Sequence, residues 1–534
     1  MKQEITRRDF LRGTVAGMAG VALTGIVGGS FGMTALAEEE QADSIVIGCA
    51  SDPESFSPWL SSNRGRQNIC ANNLYEPLAR LNAEGEREFV LAKSAEPVEE
   101  GCYQIELYDY IYDSAGNHIT ASDVIFSFDK CIEQGALAWA VKYLDHFEQV
   151  DDYTLLMYVQ DESAVALDML LKTVYIVSEE AFNASEDEFA VDPVATGPYL
   201  LDSYTSGSET VLVARDDYWQ TDESLISTGA KLGSVKTVTY KIITDTSQLA
   251  LALEMGDIEG SNEIVTADLD NFLDEDRNAR DGFNSVQILD PRIYFTAFNC
   301  SENSPCQDQL VRQAISYAID TEAIAQNVCG ADGSAAATNS SPYYADYDES
   351  LNDTVAYAQD LDKAQELLAE AGYADGLSLK GCFSSSEGNS AQVASLMQAY
   401  LGQIGIDLEI NMYESGLFTT MKTDDNSWDF FVDCTVGLNT PGRMGLLDIN
   451  GYTTGTNGVF VADEELQTLY ETANAASTYN TESVTALLEY VDEMDYVYPM
   501  YYSYTYVITT GNVTDIVIDR DNAIIPGACT VLAK

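Results

Sequence analysis

A chain of 534 residues exceeds what one hydrophobic core can organise, so two or three lobes are expected. Its 46% hydrophobic and 21% charged content is that of an ordinary folded protein. With 26 Lys and Arg against 87 Asp and Glu, the net charge of -61 excludes nucleic acid and anionic lipid headgroups as partners. The acids are spread along the whole chain, the pattern of a solvated, aggregation-resistant surface.

The first 37 residues read as a targeting signal. Thr6-Arg7-Arg8-Asp9-Phe10-Leu11-Arg12 matches the twin-arginine export pattern, and a Gly-rich apolar stretch follows from Gly13 to Leu36. Ala35-Leu36-Ala37 is a small-x-small cleavage site placed directly before Glu38-Glu39-Glu40. The alternative is an uncleaved anchor, since the apolar run is long enough to span a bilayer. No lipid-accepting Cys follows that run, the first cysteine being Cys49, so the expected product is exported to the periplasm or exterior without a lipid anchor. Removing residues 1–37 leaves 22 basic against 85 acidic residues. All ten cysteines lie beyond the signal. An even count in an exported protein permits disulfides, and Cys300 and Cys306 flanking Pro305 can close a small loop; buried free thiols are the equal alternative.

Further along, Ser44-Ile45-Val46-Ile47-Gly48 predicts a first strand, ended by the turn-rich Ser51-Asp52-Pro53-Glu54-Ser55. Tyr103 to Tyr112, rich in Tyr and Ile, predicts a strand with aromatics on both faces. Thr120 and Asp123 form a capping-box pattern, followed by Val124, Phe128 and Cys131 on one helical face. Leu310, Ala314 and Ala318, with Val311, Ile315 and Ile319 alongside, predict a buried helix stripe. Ser390 opens another helix, carried by Val393, Leu396, Met397, Tyr400, Leu401 and Ile404 and stopped at Gly405 in a left-handed cap. Ile406, Leu408, Ile410 and Met412 then alternate as a half-buried strand. Helix feeding strand, repeated, indicates α/β lobes.

Six short segments, in order, carry a family likeness: Thr120-Ala121-Ser122-Asp123-Val124-Ile125-Phe126-Ser127-Phe128, Pro193-Val194-Ala195-Thr196-Gly197-Pro198-Tyr199, Arg215-Asp216-Asp217-Tyr218-Trp219, Leu253-Glu254-Met255-Gly256-Asp257-Ile258, Val311 to Asp320, and Ala364 to Tyr373. From about Ser44 to the C-terminus the chain resembles the family 5 extracellular solute-binding proteins, the dipeptide, oligopeptide and nickel receptors of ABC importers. The resemblance implies an α/β fold of the periplasmic-binding-protein type II class, two hinged lobes plus an inserted smaller domain. Lobe I would take 42–72 with 190–290 and 499–534, the inserted subdomain 73–189, and lobe II 291–498. Thr196-Gly197-Pro198-Tyr199 would sit near the hinge, with the Gly-Pro pair fixing a turn.

Catalytic constellations are scarce. Only His118 and His146 exist, too few for a Ser-His-Asp triad or a His-rich metal site, and both read as solvated. The single Gly-x-Ser-x-Gly match, Gly28-Gly29-Ser30-Phe31-Gly32, falls in the signal; no phosphate-binding Gly-x-x-x-x-Gly-Lys or His-Glu-x-x-His occurs. The expectation is therefore no enzyme, no cofactor and no metal. Aromatics are abundant, with 32 Tyr, 18 Phe and 4 Trp. A receptor cleft needs apolar walls with a few orienting polar groups. At the expected lobe edges the candidates are Phe56, Trp59, Tyr294 with Phe295, and Trp428, each balanced against plain packing. In peptide-binding relatives a loop carries an Asp that pairs with the ligand's amino group; here the resemblance puts Gly437 at that position and Thr440-Pro441 for the neighbouring Asp-Pro. Asp433 is the substitute carboxylate on the preceding strand. Asn439 and Arg443 complete the candidate site, Arg443 favouring an anionic ligand group unless it serves a surface ion pair.

These readings imply a monomeric receptor that hands a peptide or similar small organic ligand to ABC permease subunits. The alternatives are a binder of an anionic non-peptide solute or metal chelate, an exported enzyme, and a sensory surface protein.

Overall fold

In Ser44–Cys49, Ile45 and Ile47 turn into the core and are 1% exposed, the alternation of a strand packed on one face. This strand, β1, opens a fold known from a computed structural model that describes residues 40–534 apart from 60–63, 83–84, 161–162, 354–356, 387, 436 and 450–457. The segment expected to direct export lies outside the described residues. From β1 the chain enters a four-stranded antiparallel sheet made of β2 (Ala92–Glu99), β3 (Cys102–Leu107), β4 (Leu144–Gln149) and β5 (Thr154–Val159), ordered β2-β3-β5-β4. The helix α1 (Ala121–Glu133) packs on it, with the Phe128 and Phe147 rings 5.0 Å apart. The Thr120 N–H donates to Asp123 Oδ2 at 2.8 Å, so the capping box forms, and Val124, Phe128 and Cys131 are fully buried. The helix α2 (Ala166–Thr173) closes this excursion.

The chain returns as β6 (Tyr199–Thr205), β7 (Glu209–Ala214) and β8 (Thr237–Ile242), the last parallel to β1. After α3 (Thr246–Glu254) and the two-residue β9 (Gly260–Ser261) comes β10 (Phe283–Phe298), 16 residues long. The second half adds α4 (Gln309–Ala318), α5 (Thr321–Cys329), β11 (Gly333–Ala335), α6 (Leu361–Glu370), β12 (Leu377–Ser384), α7 (Ser390–Gln403), β13 (Ile406–Tyr413), β14 (Phe430–Thr435), α8 (Glu464–Asn474), α9 (Thr481–Met494) and β15 (Val497–Thr510). The long mixed sheet outside that excursion is ordered β13-β12-β14-β10-β15-β9-β1-β8-β7-β6, with β11 beside β15.

Two antiparallel strands therefore join the halves. In one half β10 pairs Phe283–Leu289 with Thr510–Tyr504; in the other it pairs Ile293–Ala297 with Tyr502–Val497. The ladder breaks between them at Asp290-Pro291-Arg292, where Pro291 has no N–H to contribute. The second half buries its sheet on both faces. Phe430 and Val432 of β14 face one cluster with Val311, Ile315 and Leu401, while Phe431 faces another with Trp428, Leu466 and Leu487. This is the two-lobed α/β architecture with an added smaller domain that the resemblance implied.

Local expectations are met closely in this half. Val311, Ala314, Ile315 and Ala318 are fully buried on α4, and Gly405 has φ +85° between α7 and β13. Two expectations are corrected. The strand expected over Tyr103–Tyr112 ends at Leu107, and the chain turns so that Tyr112 is 44% exposed. Cys300 and Cys306 do not close a loop: Cys300 Sγ donates to Phe298 O at 3.5 Å, and the Cys306 thiol is fully buried in the turn Pro305–Gln307. No helix among the described residues is long and apolar enough to cross a membrane.

Candidate functional site

Strands β12 and β14 lie side by side in parallel, with Gly381 opposite Phe430 and Phe383 opposite Val432. Open α/β sheets bind ligands in the crevice outside the carboxyl ends of such strands. A cavity of about 210 Å³ occupies that place. Its floor is the ring pair Tyr294–Tyr501, stacked at 4.4 Å and 7° by the β10–β15 ladder, with Val393 and Val432 beside it. One wall is the start of α7: Gly388, Asn389 and Ser390. The opposite wall is Asp433 and Cys434 of β14, and Arg292 enters from the break in β10.

The charged groups around the cavity are already paired. Arg292 Nε and Nη2 donate to Asp290 at 2.9 and 2.5 Å, and these bonds hold the guanidinium protonated well above its usual range. Asp433 Oδ2 accepts from Lys422 Nζ at 2.5 Å, while Oδ1 accepts from the Cys434 N–H at 2.8 Å. The α7 wall differs. Asn389 makes no side-chain cap bond, Ser390 is 7% exposed, and neither side chain has a hydrogen-bond partner among the described residues. The first-turn N–H groups of a helix lack intrahelical acceptors, and α7 carries no acidic residue in that turn.

Of the residues singled out in the sequence, the cavity brings together Tyr294 and Asp433. The others lie elsewhere. Phe56 is fully buried and meets Tyr204 edge-on at 5.1 Å; Trp59 is fully buried, with Nε1 donating to Tyr175 O at 2.9 Å. Trp428 is 1% exposed, packs against Phe431, and donates from Nε1 to Met421 O at 3.0 Å. Asn439 caps the short turn Thr440–Arg443 through Oδ1, which accepts from Gly442 N–H at 2.9 Å. Arg443 is 3% exposed, its guanidinium 4.8 Å above the Phe295 ring and Nη1 donating to Asn339 O at 2.9 Å. Its Nε and Nη2 have no partner among the described residues, and burial lowers its pKa. Phe295, also buried, supports that guanidinium. His118 Nε2 lies 3.1 Å from Asp109 O, and His146 stacks on Tyr158 at 4.3 Å, both outside the cavity.

The loop after β14 has a packing reason for its glycine. A Cβ on Gly437 would lie 2.8 Å from Asn439 O and 3.1 Å from both Arg443 Cβ and Arg443 N. Thr440, beside it, is engaged by a buried carboxylate: its N–H and hydroxyl both donate to Asp346, at 2.9 and 3.0 Å. Burial raises the Asp346 pKa.

Arg292, Asn389, Ser390 and Tyr501 escaped the sequence reading. Ser390 was visible as a helix start, but its place beside Asp433 depends on β12 and β14 pairing across some fifty residues of chain. The halves also touch away from the cavity. The Arg520 guanidinium lies 4.4 Å over the Tyr343 ring and donates from Nη2 to Tyr343 O at 2.9 Å. The Ala164 N–H, just before α2, donates to Asn474 O at the end of α8 at 2.7 Å.

Residues 88–457 match the family described as bacterial extracellular solute-binding proteins, family 5 Middle. The chain is 25% identical over 473 residues to the oligopeptide-binding protein AppA of Bacillus subtilis (strain 168), covering 82% of each. It is 24% identical over 423 residues to the dipeptide-binding protein of Escherichia coli (strain K12), covering 73% of this chain and 75% of that one. Among solved structures, HbpA2 from Haemophilus parasuis superposes with a TM-score of 0.80 at 19% identity, over 92% of this chain and 100% of that one. The Bacillus subtilis AppA structure in complex with a nonapeptide superposes with a TM-score of 0.68 at 21% identity, over 93% and 100%.

Proposed function

Because the chain belongs to the family 5 bacterial extracellular solute-binding proteins, we propose that it is an extracytoplasmic receptor of an ABC importer. It captures a peptide or similar small organic ligand between two lobes and delivers it unchanged to membrane permease subunits. The observation that carries this reading is the cavity at the carboxyl ends of β12 and β14, beside the break at Asp290–Arg292 in the strands that join the halves. A cavity beside a two-strand connection suits capture by closure, with affinity drawn from burial between lobes. The reading divides the chain at 291 and 499 into lobes, with 73–189 inserted into the first, and has it work as a monomer. Export by the twin-arginine route, with cleavage after Ala37, completes it.

The test is calorimetric titration of the purified protein with defined di- to pentapeptides, with the peptide recovered afterwards and weighed by mass spectrometry. One-to-one binding with an unaltered peptide mass is expected. Hydrolysis or other conversion of the bound peptide would overturn the receptor reading. A twin-arginine route is checked separately: Arg7→Lys with Arg8→Lys should hold the precursor inside the cell.

A further inference from the structure

The cavity is built to accept a negative group. On the receptor reading, the lining of this cavity sets the chemistry of the ligand. Every full charge lining or entering the cavity is matched: Arg292 by Asp290, and Asp433 by Lys422 and the Cys434 N–H. A ligand ammonium at Asp433 would have to displace Lys422 from a 2.5 Å contact. It gains no carboxylate from the loop either, because a Cβ at position 437 would collide with Asn439 O.

What is left unmatched is a set of donors on one wall. Ser390 is 7% exposed and lines the cavity, and its hydroxyl has no partner among the described residues; the Asn389 amide beside it has none either. Both stand at the first turn of a 14-residue helix, where backbone N–H groups have no intrahelical acceptor and the helix dipole favours a negative group. Arg292, its side chain 39% exposed at the cavity's edge, is neutralised by Asp290, which leaves these donors as the binding groups. Both side chains line the cavity and are open to an acceptor placed there.

The geometry points to a carboxylate of the ligand docking on Ser390, Asn389 and the α7 N-terminus, its adjoining apolar or aromatic group lying on the Tyr294–Tyr501 floor. The ligand is thus anchored by its acid end, not by its amine. A peptide C-terminus and a plain organic acid both present this group.

Titration with matched peptides ending in an aromatic residue tests this: the free acid, its C-terminal amide, and the N-acetylated acid. Amidation is expected to weaken binding about tenfold or more, the scale of losing a charge-assisted hydrogen-bond set. N-acetylation should change affinity less than about threefold, as neither anchor is an ammonium site. Ser390→Ala should weaken the free acid about fivefold and leave the amide unchanged. Asn389→Asp separates binding from folding. A carboxylate there favours the helix start, so thermal stability holds or rises while acid binding falls further than in Ser390→Ala. A free organic acid such as 3-phenylpropionate binding in a Ser390-dependent way also supports the assignment and identifies the carboxylate alone as sufficient. Equal affinity for acid and amide, or loss on acetylation but not on amidation, overturns the acid anchor while leaving the receptor reading intact. Binding of no peptide or organic acid at all overturns both.

Discussion

Gly437 shows how one position constrains a binding loop. A Cβ introduced there would lie 2.8 Å from Asn439 O and 3.1 Å from Arg443 Cβ and N. Gly437→Asp is therefore expected to lower stability by about 1–3 kcal/mol through overpacking, without creating affinity for amines. Denaturant unfolding and titration with a peptide amide would check both halves of that statement. Two buried acids give a pH signature. Burial raises the pKa of Asp492, which accepts from Asn339 Nδ2, to about 7, and raises that of Asp495, at φ +52° after α9, to about 7. In the unfolded chain both titrate near 4. Between about pH 4 and 7 the native state holds more protons than the unfolded state, so their contribution to stability is full below that window and is lost as pH rises through it. The melting temperature should rise on acidification from pH 7.5 to 5.5. Relief of repulsion among surface acids has the same sign, so the discriminating result is a flatter pH slope in Asp492→Asn and Asp495→Asn; an unchanged slope would refute the assignment.

At the scale of elements, the run from α7 through Gly405 into β13 was fully legible, because each signal is local: a helical stripe, a left-handed stop, then alternation. Gly405→Ala meets no closer atom than Gly376 Cα at 3.9 Å, so its cost is conformational and expected near 1 kcal/mol, readable as a shift in unfolding midpoint. The cavity was only partly legible. Tyr294 and Asp433 were reached because they lie on strands at a lobe edge. Trp59 and Trp428 lie outside the strands yet are core, 0% and 1% exposed, a packing no local pattern marks. The join between the halves was not legible for a related reason: it depends on β10 meeting β15 some two hundred residues later, a pairing no local pattern carries. Ser390 and Asp433 line the same cavity for that non-local reason too.

For the whole molecule, contacts between the halves define what closure must make and break. Arg520, 8% exposed, stacks on Tyr343 and bonds its carbonyl, and Tyr343 Oη donates back to Arg520 O at 3.1 Å. Arg520→Ala should speed ligand release by roughly three- to tenfold, as one stacked cation and its hydrogen bond are worth about 1 kcal/mol, with little change in the association rate. Stopped-flow displacement would read this directly. The central claim is that the chain closes on one small solute and lets it go intact. Native mass spectrometry of the protein incubated with a defined peptide mixture, followed by release and weighing of the bound species, tests it most directly. The account predicts a single one-to-one adduct whose released mass equals that of a peptide supplied. A released species of altered mass, or a protein that carries no adduct with any of them, would contradict it.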